Sequence, residues 1–137
     1  MEIRRIVAAY FSPTGNTEQL AKAMAQAASQ ETKCPVEYID FTRPQAREKI
    51  YELGRDDLLI IGLPVYAGRL PNKILPFVQE NLKGNAAVSV AFVCYGNRSF
   101  DDGLSELVYA QEHTGFRPAG AAAFATQHAF ATELAHG

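Results

Sequence analysis

The residues that follow the first apolar stretch are of types that bind phosphate. Residues 12–18 read SPTGNTE and run directly into a helical pattern. Backbone N–H groups at the start of a helix attract an anion, hydroxyl groups donate further hydrogen bonds, and a glycine allows close approach of the backbone. The segment has no Lys or Arg, so it is not a Walker A loop, and it lacks the G-x-G-x-x-G pattern. It therefore predicts a site for one terminal phosphate, with an ordinary capped helix start as the alternative.

Two further segments place aromatic side chains beside glycine and polar residues. Residues 64–71 read PVYAGRLP and residues 95–102 read YGNRSFDD. Because the chain contains no Trp, any stacking on a flat ligand must come from Tyr66, Tyr95 or Phe100. Each segment alone is compatible with an ordinary turn. Together, at one edge of a sheet, the three segments would form a phosphate cradle between two aromatic walls.

The elements that must position these segments alternate along the chain. The apolar stretches that predict strands are Ile3–Phe11, Pro35–Phe41, Asp57–Val65, Ala86–Tyr95 and Arg117–Thr126. The helical patterns lie at Gln19–Gln30, Pro44–Glu52, Asn72–Leu82 and Asp101–Thr114, with Pro76 expected to kink the third helix or delay its start. Repeated βα units predict a doubly wound α/β fold with a five-stranded parallel sheet. Ligands of such sheets bind beyond the carboxyl ends of the strands, where all three segments fall.

Composition excludes several classes of protein. The chain has 137 residues and a formal net charge of −2, which indicates one domain and argues against a nucleic-acid binder. Two cysteines cannot build a disulfide framework, a four-cysteine zinc site or an iron–sulfur cluster. The sequence shows no secretory leader, no membrane span and no metal-ligand spacing, so we expect a cytoplasmic protein without a metal site.

The three segments, extended to FSPTGNTE, GLPVYAGRLP and CYGNRSFDD, resemble the FMN-binding loops of flavodoxins. They are most similar to the flavodoxin domain of flavodoxin–ferredoxin fusion proteins. The resemblance implies one FMN-binding domain over residues 1–137, with strand order 2-1-3-4-5. It implies that the FMN phosphate is held by Ser12, Thr14, Gly15, Asn16 and Thr17. It implies that one side of the isoalloxazine ring is lined by Pro64, Val65, Tyr66, Ala67 and Gly68, and that the other side is closed by Tyr95, Gly96, Asn97, Arg98 and Phe100.

The function that follows is electron transfer to or from an iron–sulfur partner, with no catalytic residue on this chain. We expect a backbone carbonyl between Tyr66 and Gly68 to accept a hydrogen bond from a protonated flavin N5, which would favour one-electron chemistry. The alternative is an FMN-dependent NAD(P)H or quinone reductase, whose second substrate often binds at a dimer interface, so a homodimer is also considered. The clustered cysteines of a ferredoxin part are absent, so the redox partner is expected to be a protein or ferredoxin domain that is not on this chain.

Other features have competing interpretations. The chain stops soon after the fifth strand, so we expect the last helix to be truncated or absent, with a longer parent protein or another subunit covering that face. Cys34 and Cys94 fall at opposite ends of non-adjacent strands, which excludes a disulfide between them. Arg69 either binds an anion or is a solvated surface residue. His128 either contacts the flavin edge or bonds to a neighbouring loop.

Overall fold

The computed structural model describes residues 2–66, 68–96 and 101–125. Its strands are β1 (Arg5–Tyr10), β2 (Val36–Asp40), β3 (Tyr51–Glu52), β4 (Asp57–Pro64), β5 (Leu82–Lys83), β6 (Val88–Tyr95) and β7 (Arg117–Ala125). Its helices are α1 (Asn16–Thr32), α2 (Pro44–Arg47), a π-helix (Phe77–Asn81) and α3 (Asp101–His113). Among these residues no helix is long and apolar enough to cross a membrane.

The main sheet has the predicted topology. Five parallel strands lie in the order β2-β1-β4-β6-β7, which is 2-1-3-4-5 when these strands are counted by themselves. The prediction of a doubly wound flavodoxin-like sheet is therefore confirmed. The chain moves outward from β1 to β2 and then crosses to the other side of β1, which makes the gap between β1 and β4 the switch point of the sheet. The expectation of a truncated or absent last helix concerns residues outside the described part of the chain.

Both faces of the three central strands β1, β4 and β6 are covered, as their continuous apolar character requires, whereas β2 and β7 at the edges are more exposed. On one face α1 buries Ala21 and Ala25 against Ile6, Ala8 and the ring of Phe92. On the other face the π-helix and α3 cover the alternate residues of β1, β4 and β6, and Phe77 and Leu107 are among the buried side chains there. Cys34 and Cys94 form no disulfide with each other, as predicted, and both are buried.

Two of the predicted helices are shorter than their sequence patterns indicated. The helix expected over Pro44–Glu52 ends at Arg47, because Tyr51 and Glu52 pair with Leu82 and Lys83 in a separate two-stranded sheet. The helix expected over Asn72–Leu82 is reduced to the π-helix, preceded by turns. Pro76 has no N–H to bond the carbonyl four residues earlier, which accounts for the delayed and irregular helix.

An ion pair fastens the amino-terminal edge of the sheet. The Asp57 carboxylate accepts hydrogen bonds from Arg5 Nε at 2.9 Å and Arg5 Nη2 at 2.6 Å, and from the Gly54 N–H at 2.8 Å. The hydrogen bonds from Arg5 lower the pKa of Asp57, against the opposing effect of burial. The pair joins β1 to β4 and closes the turn that precedes β4.

Asp57→Asn is expected to lower the free energy of unfolding by about 2 kcal/mol near neutral pH, because it removes the carboxylate that binds two nitrogens of the half-buried Arg5 guanidinium and leaves only the exposed Glu37, at 3.2 Å, as its charged partner. Since the folded-state pKa is depressed, this stabilisation is complete above the ordinary aspartate pKa of about 4 and is lost as the pH falls through the folded-state value. Urea unfolding at several pH values measures both effects. The control is Asp56→Asn, whose exposed carboxylate lies 3.8 Å from Arg4. Equal losses in the two variants would contradict the prediction.

Candidate functional site

The three predicted segments begin at the same edge of the sheet. Strands β1, β4 and β6 are neighbours, with Tyr10 paired to Gly62 and Pro64 paired to Cys94. Beyond the strands the contacts continue, because the Phe11 N–H donates to the Gly62 carbonyl at 3.2 Å and the Val65 N–H donates to the Cys94 carbonyl at 2.9 Å. The parallel sheet thus brings together loops that are distant in sequence.

The loop from Ser12 to Thr17 is positioned by two hydrogen bonds that Ser12 forms with residues outside the loop. The Ser12 N–H donates to Thr42 Oγ1 at 2.9 Å, and Ser12 Oγ accepts the Glu18 N–H at 2.9 Å. Gly15 has φ +93° immediately before α1, and a Cβ on it would meet no atom within 4 Å. Among the described residues, the N–H groups of Asn16 and Thr17 have no acceptor. The start of a 17-residue helix therefore faces open space with free donors.

The two threonines of this loop differ in their surroundings. Thr14 is exposed, whereas Thr17 is only 3% exposed and its hydroxyl bonds to the thiol of Cys94. Burial raises the pKa of the Cys94 thiol, and the bond from Thr17 only partly opposes that rise. Thr17 therefore links α1 to β6, a contact that sequence reasoning did not find. The assignment of five loop residues to a phosphate stays a prediction.

The loop has no cation that would neutralise a bound anion. The negative charge of Glu18, which follows the loop, is partly neutralised by its own partners. Glu18 pairs with Lys22 at 2.7 Å and accepts a hydrogen bond from the Tyr10 hydroxyl at 3.3 Å. Burial, aided by Glu18, raises the pKa of Tyr10 to about 12, so its hydroxyl stays protonated at neutral pH. The positive end of the α1 dipole supplies the remaining attraction for an anion.

The second segment folds into a tight turn that presents Tyr66. The N–H and carbonyl of Tyr66 bond reciprocally with those of Arg69, at 2.9 and 3.0 Å. Gly68 takes φ +83° in this turn, a conformation that other residues adopt at a cost. Tyr66 is 53% exposed and provides a ring at the surface, whereas the Val65 side chain is buried in the core and leaves only its backbone for a ligand. Ala67 lies outside the described residues.

Helix α3 anchors this turn. The Gly68 carbonyl accepts the Gly103 N–H at 2.7 Å, and Glu106 accepts hydrogen bonds from Arg69 Nη2 at 2.5 Å and from the Leu70 N–H at 3.2 Å. The bond from Arg69 is the main cause that lowers the pKa of Glu106. Arg69 is therefore a structural partner of Glu106 rather than a freely solvated residue. Sequence reasoning missed Glu106, since nothing in the helical pattern marks it from other exposed acids.

The third segment is described only at its start. Tyr95 ends β6 and Gly96 follows it, both half-buried, and a Cβ on Gly96 would meet no atom within 4 Å. Asn97, Arg98, Phe100 and His128 lie outside the described residues. Within residues 2–66, 68–96 and 101–125, no cluster of His, Cys, Asp and Glu has the arrangement of a metal site.

Comparison with known proteins identifies the family. Residues 7–125 match the family described as Flavodoxin domain. The chain belongs to the flavodoxin domain family. No curated protein matches this flavodoxin domain significantly.

Solved structures share the fold of this flavodoxin domain at low sequence identity. A flavodoxin from the domain Archaea has 14% identity and a TM-score of 0.68, and the match covers 90% of this chain and 84% of the archaeal one. A putative flavoprotein from Bacteroides uniformis has 19% identity and a TM-score of 0.57, with 98% and 99% covered. A flavoprotein from Lactobacillus acidophilus, solved in complex with FMN, has 14% identity and a TM-score of 0.53, with 97% and 99% covered.

Proposed function

We propose that this flavodoxin domain binds FMN across the carboxyl ends of β1, β4 and β6 and carries single electrons to or from an iron–sulfur partner that is not among these residues. The observation that carries the proposal is the open cradle before α1. There a glycine at positive φ, free backbone donors and an exposed Thr14 surround a space in which no atom of the described residues comes within 4 Å of a Cβ placed on Gly15.

The cradle would bind a phosphate monoester through neutral amide and hydroxyl donors rather than through a charged side chain. Ser12 is positioned by Thr42, and its hydroxyl proton remains available as a donor while its oxygen accepts the Glu18 N–H. Amide and hydroxyl donors aimed at an anion form strong, charge-assisted hydrogen bonds. Desolvation of a dianion is costly unless such donors are already ordered, and the bonds of Ser12 supply that order.

FMN, when bound, supplies reversible redox chemistry, and the turn after β4 would hold the ring and a proton on it. Tyr66 offers an exposed aromatic face. The carbonyls of Tyr66 and Gly68 each accept one hydrogen bond within the protein and retain a second lone pair for a flavin N–H. Glu106 and Gly103 restrain the turn, so those carbonyls would stay in place when the charge of the ring changes.

The partner belongs to the proposal and rests on sequence resemblance. The three motifs are similar to those of flavodoxin domains fused to ferredoxins, and this chain lacks the clustered cysteines of the ferredoxin part. A ferredoxin-type protein or domain outside these 137 residues is the proposed donor or acceptor. The cytoplasmic location and the homodimer considered from the sequence stay predictions.

Calorimetric titration of the purified domain with FMN and with riboflavin tests the cofactor site. We expect FMN to bind with one-to-one stoichiometry and riboflavin to bind at least about tenfold more weakly, because it lacks the charge-assisted hydrogen bonds to phosphate. Stepwise reduction of the FMN-loaded domain should yield an unpaired-electron signal in paramagnetic resonance near the midpoint. Equal affinity for the two flavins would refute the phosphate cradle, and direct two-electron reduction would refute the carrier role.

Two threonine variants distinguish a specific loss of phosphate binding from a general effect on the folded protein. Thr14→Ala is expected to weaken FMN binding by about tenfold, through loss of one hydrogen bond to a charged group. The matched control is Thr32→Ala at the other end of α1, where the hydroxyl bonds to the Ala28 carbonyl at 2.8 Å. FMN affinity should change less than about twofold in this control, since the substitution lies about 25 Å along the helix from the cradle.

A reductase is the second candidate, because a cavity of about 620 Å³ adjoins Tyr66. A second substrate could bind there beside a flavin ring. Rapid mixing of the FMN-loaded domain with NAD(P)H distinguishes the two functions. Fast two-electron bleaching favours the reductase, whereas no bleaching on the time scale of turnover favours the carrier.

A further inference from the structure

The cavity beside Tyr66 has the size and shape of a small-molecule site. Its volume is about 620 Å³, and it lies between the end of β1, α2, Tyr66 and residues 69–74. Small-molecule sites commonly measure about 300–1,000 Å³. Of the described residues that the FMN assignment uses, only Tyr66 lines this cavity. It is therefore a separate opening at the same edge of the sheet.

The walls of the cavity are largely apolar and held in place. Phe11, Leu70, Pro71 and Ile74 line it. The ring of Phe11 stacks on that of Phe41 with centroids 6.5 Å apart, and Ile74 and Leu70 are buried in the core cluster. Phe11 and Pro71 are half-buried, so they leave apolar surface toward the cavity that an aromatic ring could contact.

The charge on the cavity is positive, although the whole chain has a formal charge of −2. Arg47, Arg69 and Lys73 line the cavity, and among the residues that the structure describes no acidic side chain does. Glu106 compensates Arg69. Arg47 Nη1 donates to the carbonyls of Phe41 and Thr42 at 2.9 and 2.8 Å, and its Cζ lies 5.8 Å from the centroid of the Phe11 ring. These contacts fix the guanidinium, and none of them supplies a negative charge.

Lys73 adds a second uncompensated cation. It is exposed, and within the described ranges neither Lys73 nor Arg47 forms an ion pair. No carboxylate in the described part of the chain therefore neutralises either cation. Apolar walls combined with fixed positive charge select a ligand that carries both a ring and a negative group.

We propose that this cavity binds a small aromatic anion, such as an aromatic carboxylate, with its ring against Phe11 and Pro71 and its charge toward Arg47 and Lys73. The site is independent of the flavin proposal, because its walls and cations are present whether or not FMN binds. Tyr66 would place the ligand next to the ring that FMN is proposed to occupy.

The test uses 2-naphthoate as the probe, with 2-naphthalenemethanol as its neutral counterpart. Titrations followed by amide NMR are run on the purified domain with and without saturating FMN. We expect saturable binding of naphthoate under both conditions, with the largest shifts in segment 66–74, and at least about fivefold weaker binding of the neutral analogue. Absence of saturable binding, equal affinity for the two probes, or loss of naphthoate binding in the presence of FMN would overturn the proposal.

A charge reversal supplies the matched test. Lys73→Glu should weaken naphthoate binding by about fivefold or more, while FMN affinity and unfolding midpoint stay unchanged, because this exposed side chain has no ion pair among the described residues to lose. The control is Lys83→Glu, which makes the same charge change on β5. Lys83 lies five residues before the start of β6 and therefore toward the edge of the sheet opposite the cavity. An equal effect in both variants would show a general response to net charge and would contradict the cavity site.

Discussion

Gly62→Ala is expected to lower the free energy of unfolding by about 3 kcal/mol, because its new methyl group has no room. Gly62 lies in β4 and pairs with Phe92 of β6. A Cβ on Gly62 would lie 2.0 Å from Cζ of Phe92, and 2.4 and 2.5 Å from its two Cε atoms. The Phe92 ring is fully buried and packs edge-to-face on Phe124 with centroids 5.9 Å apart, so it cannot swing out into solvent.

Urea unfolding measures this effect, and Gly120→Ala is the matched control. Gly120 lies in β7 of the same sheet, and a Cβ there would come no closer than 4.0 Å to Val90 Cγ2. Its substitution should change the free energy of unfolding by no more than about 0.5 kcal/mol. In a Phe92→Leu background, Gly62→Ala should cost clearly less, because the obstructing ring is gone. A loss of below about 1 kcal/mol in the wild-type background would show that the ring shifts cheaply.

Gly15→Ala is expected to weaken FMN binding by about tenfold or more, which corresponds to about 1.4 kcal/mol. Gly15 has φ +93°, and its Cβ would stand in the open cradle where the phosphate is proposed to bind. The substitution thus imposes both backbone strain, about 1–2 kcal/mol, and a methyl group inside the site. Calorimetric titration measures the affinity, and denaturant unfolding measures the strain.

Gly115→Ala separates these two effects. Gly115 has φ +96°, nearly the same backbone conformation, but it precedes β7 at the opposite edge of the sheet. A Cβ there would lie 3.2 Å from the Asn85 nitrogen. Both variants should lose stability, and only Gly15→Ala should lose FMN affinity. If both variants bind FMN as tightly as the wild type, the phosphate does not lie in this cradle.

Much of the fold could be predicted because its causes are local. The apolar stretch at Asp57–Val65 predicts a strand covered on both faces, and the structure places β4 at Asp57–Pro64 in the centre of the sheet. Strand alternation with helices implies parallel pairing, which in turn implies that the loops meet at one edge. The helix predicted over Asn72–Leu82 was wrong at Leu82, which instead pairs with Tyr51 in a short sheet. That pairing depends on a segment distant in sequence.

The site divides in the same way. Residue types in the loops after β1, β4 and β6 were readable from the sequence, because turn and anion-binding chemistry depends on a few consecutive residues. The hydrogen bonds of Glu106 with Arg69 and Leu70 could not be predicted from the sequence. The hydrogen bond of Thr17 with Cys94 could not be predicted either. These partners are set by helix position and strand register.

The sequence by itself therefore determined the order of elements, the family and the loops that carry the proposed chemistry. Only the tertiary structure decided which side chains hold those loops, which glycine faces a buried ring and where three cations converge on one cavity. The physical reason is that periodicity and turn chemistry act over neighbouring residues, whereas packing and charge pairing join residues that the fold brings together from far apart.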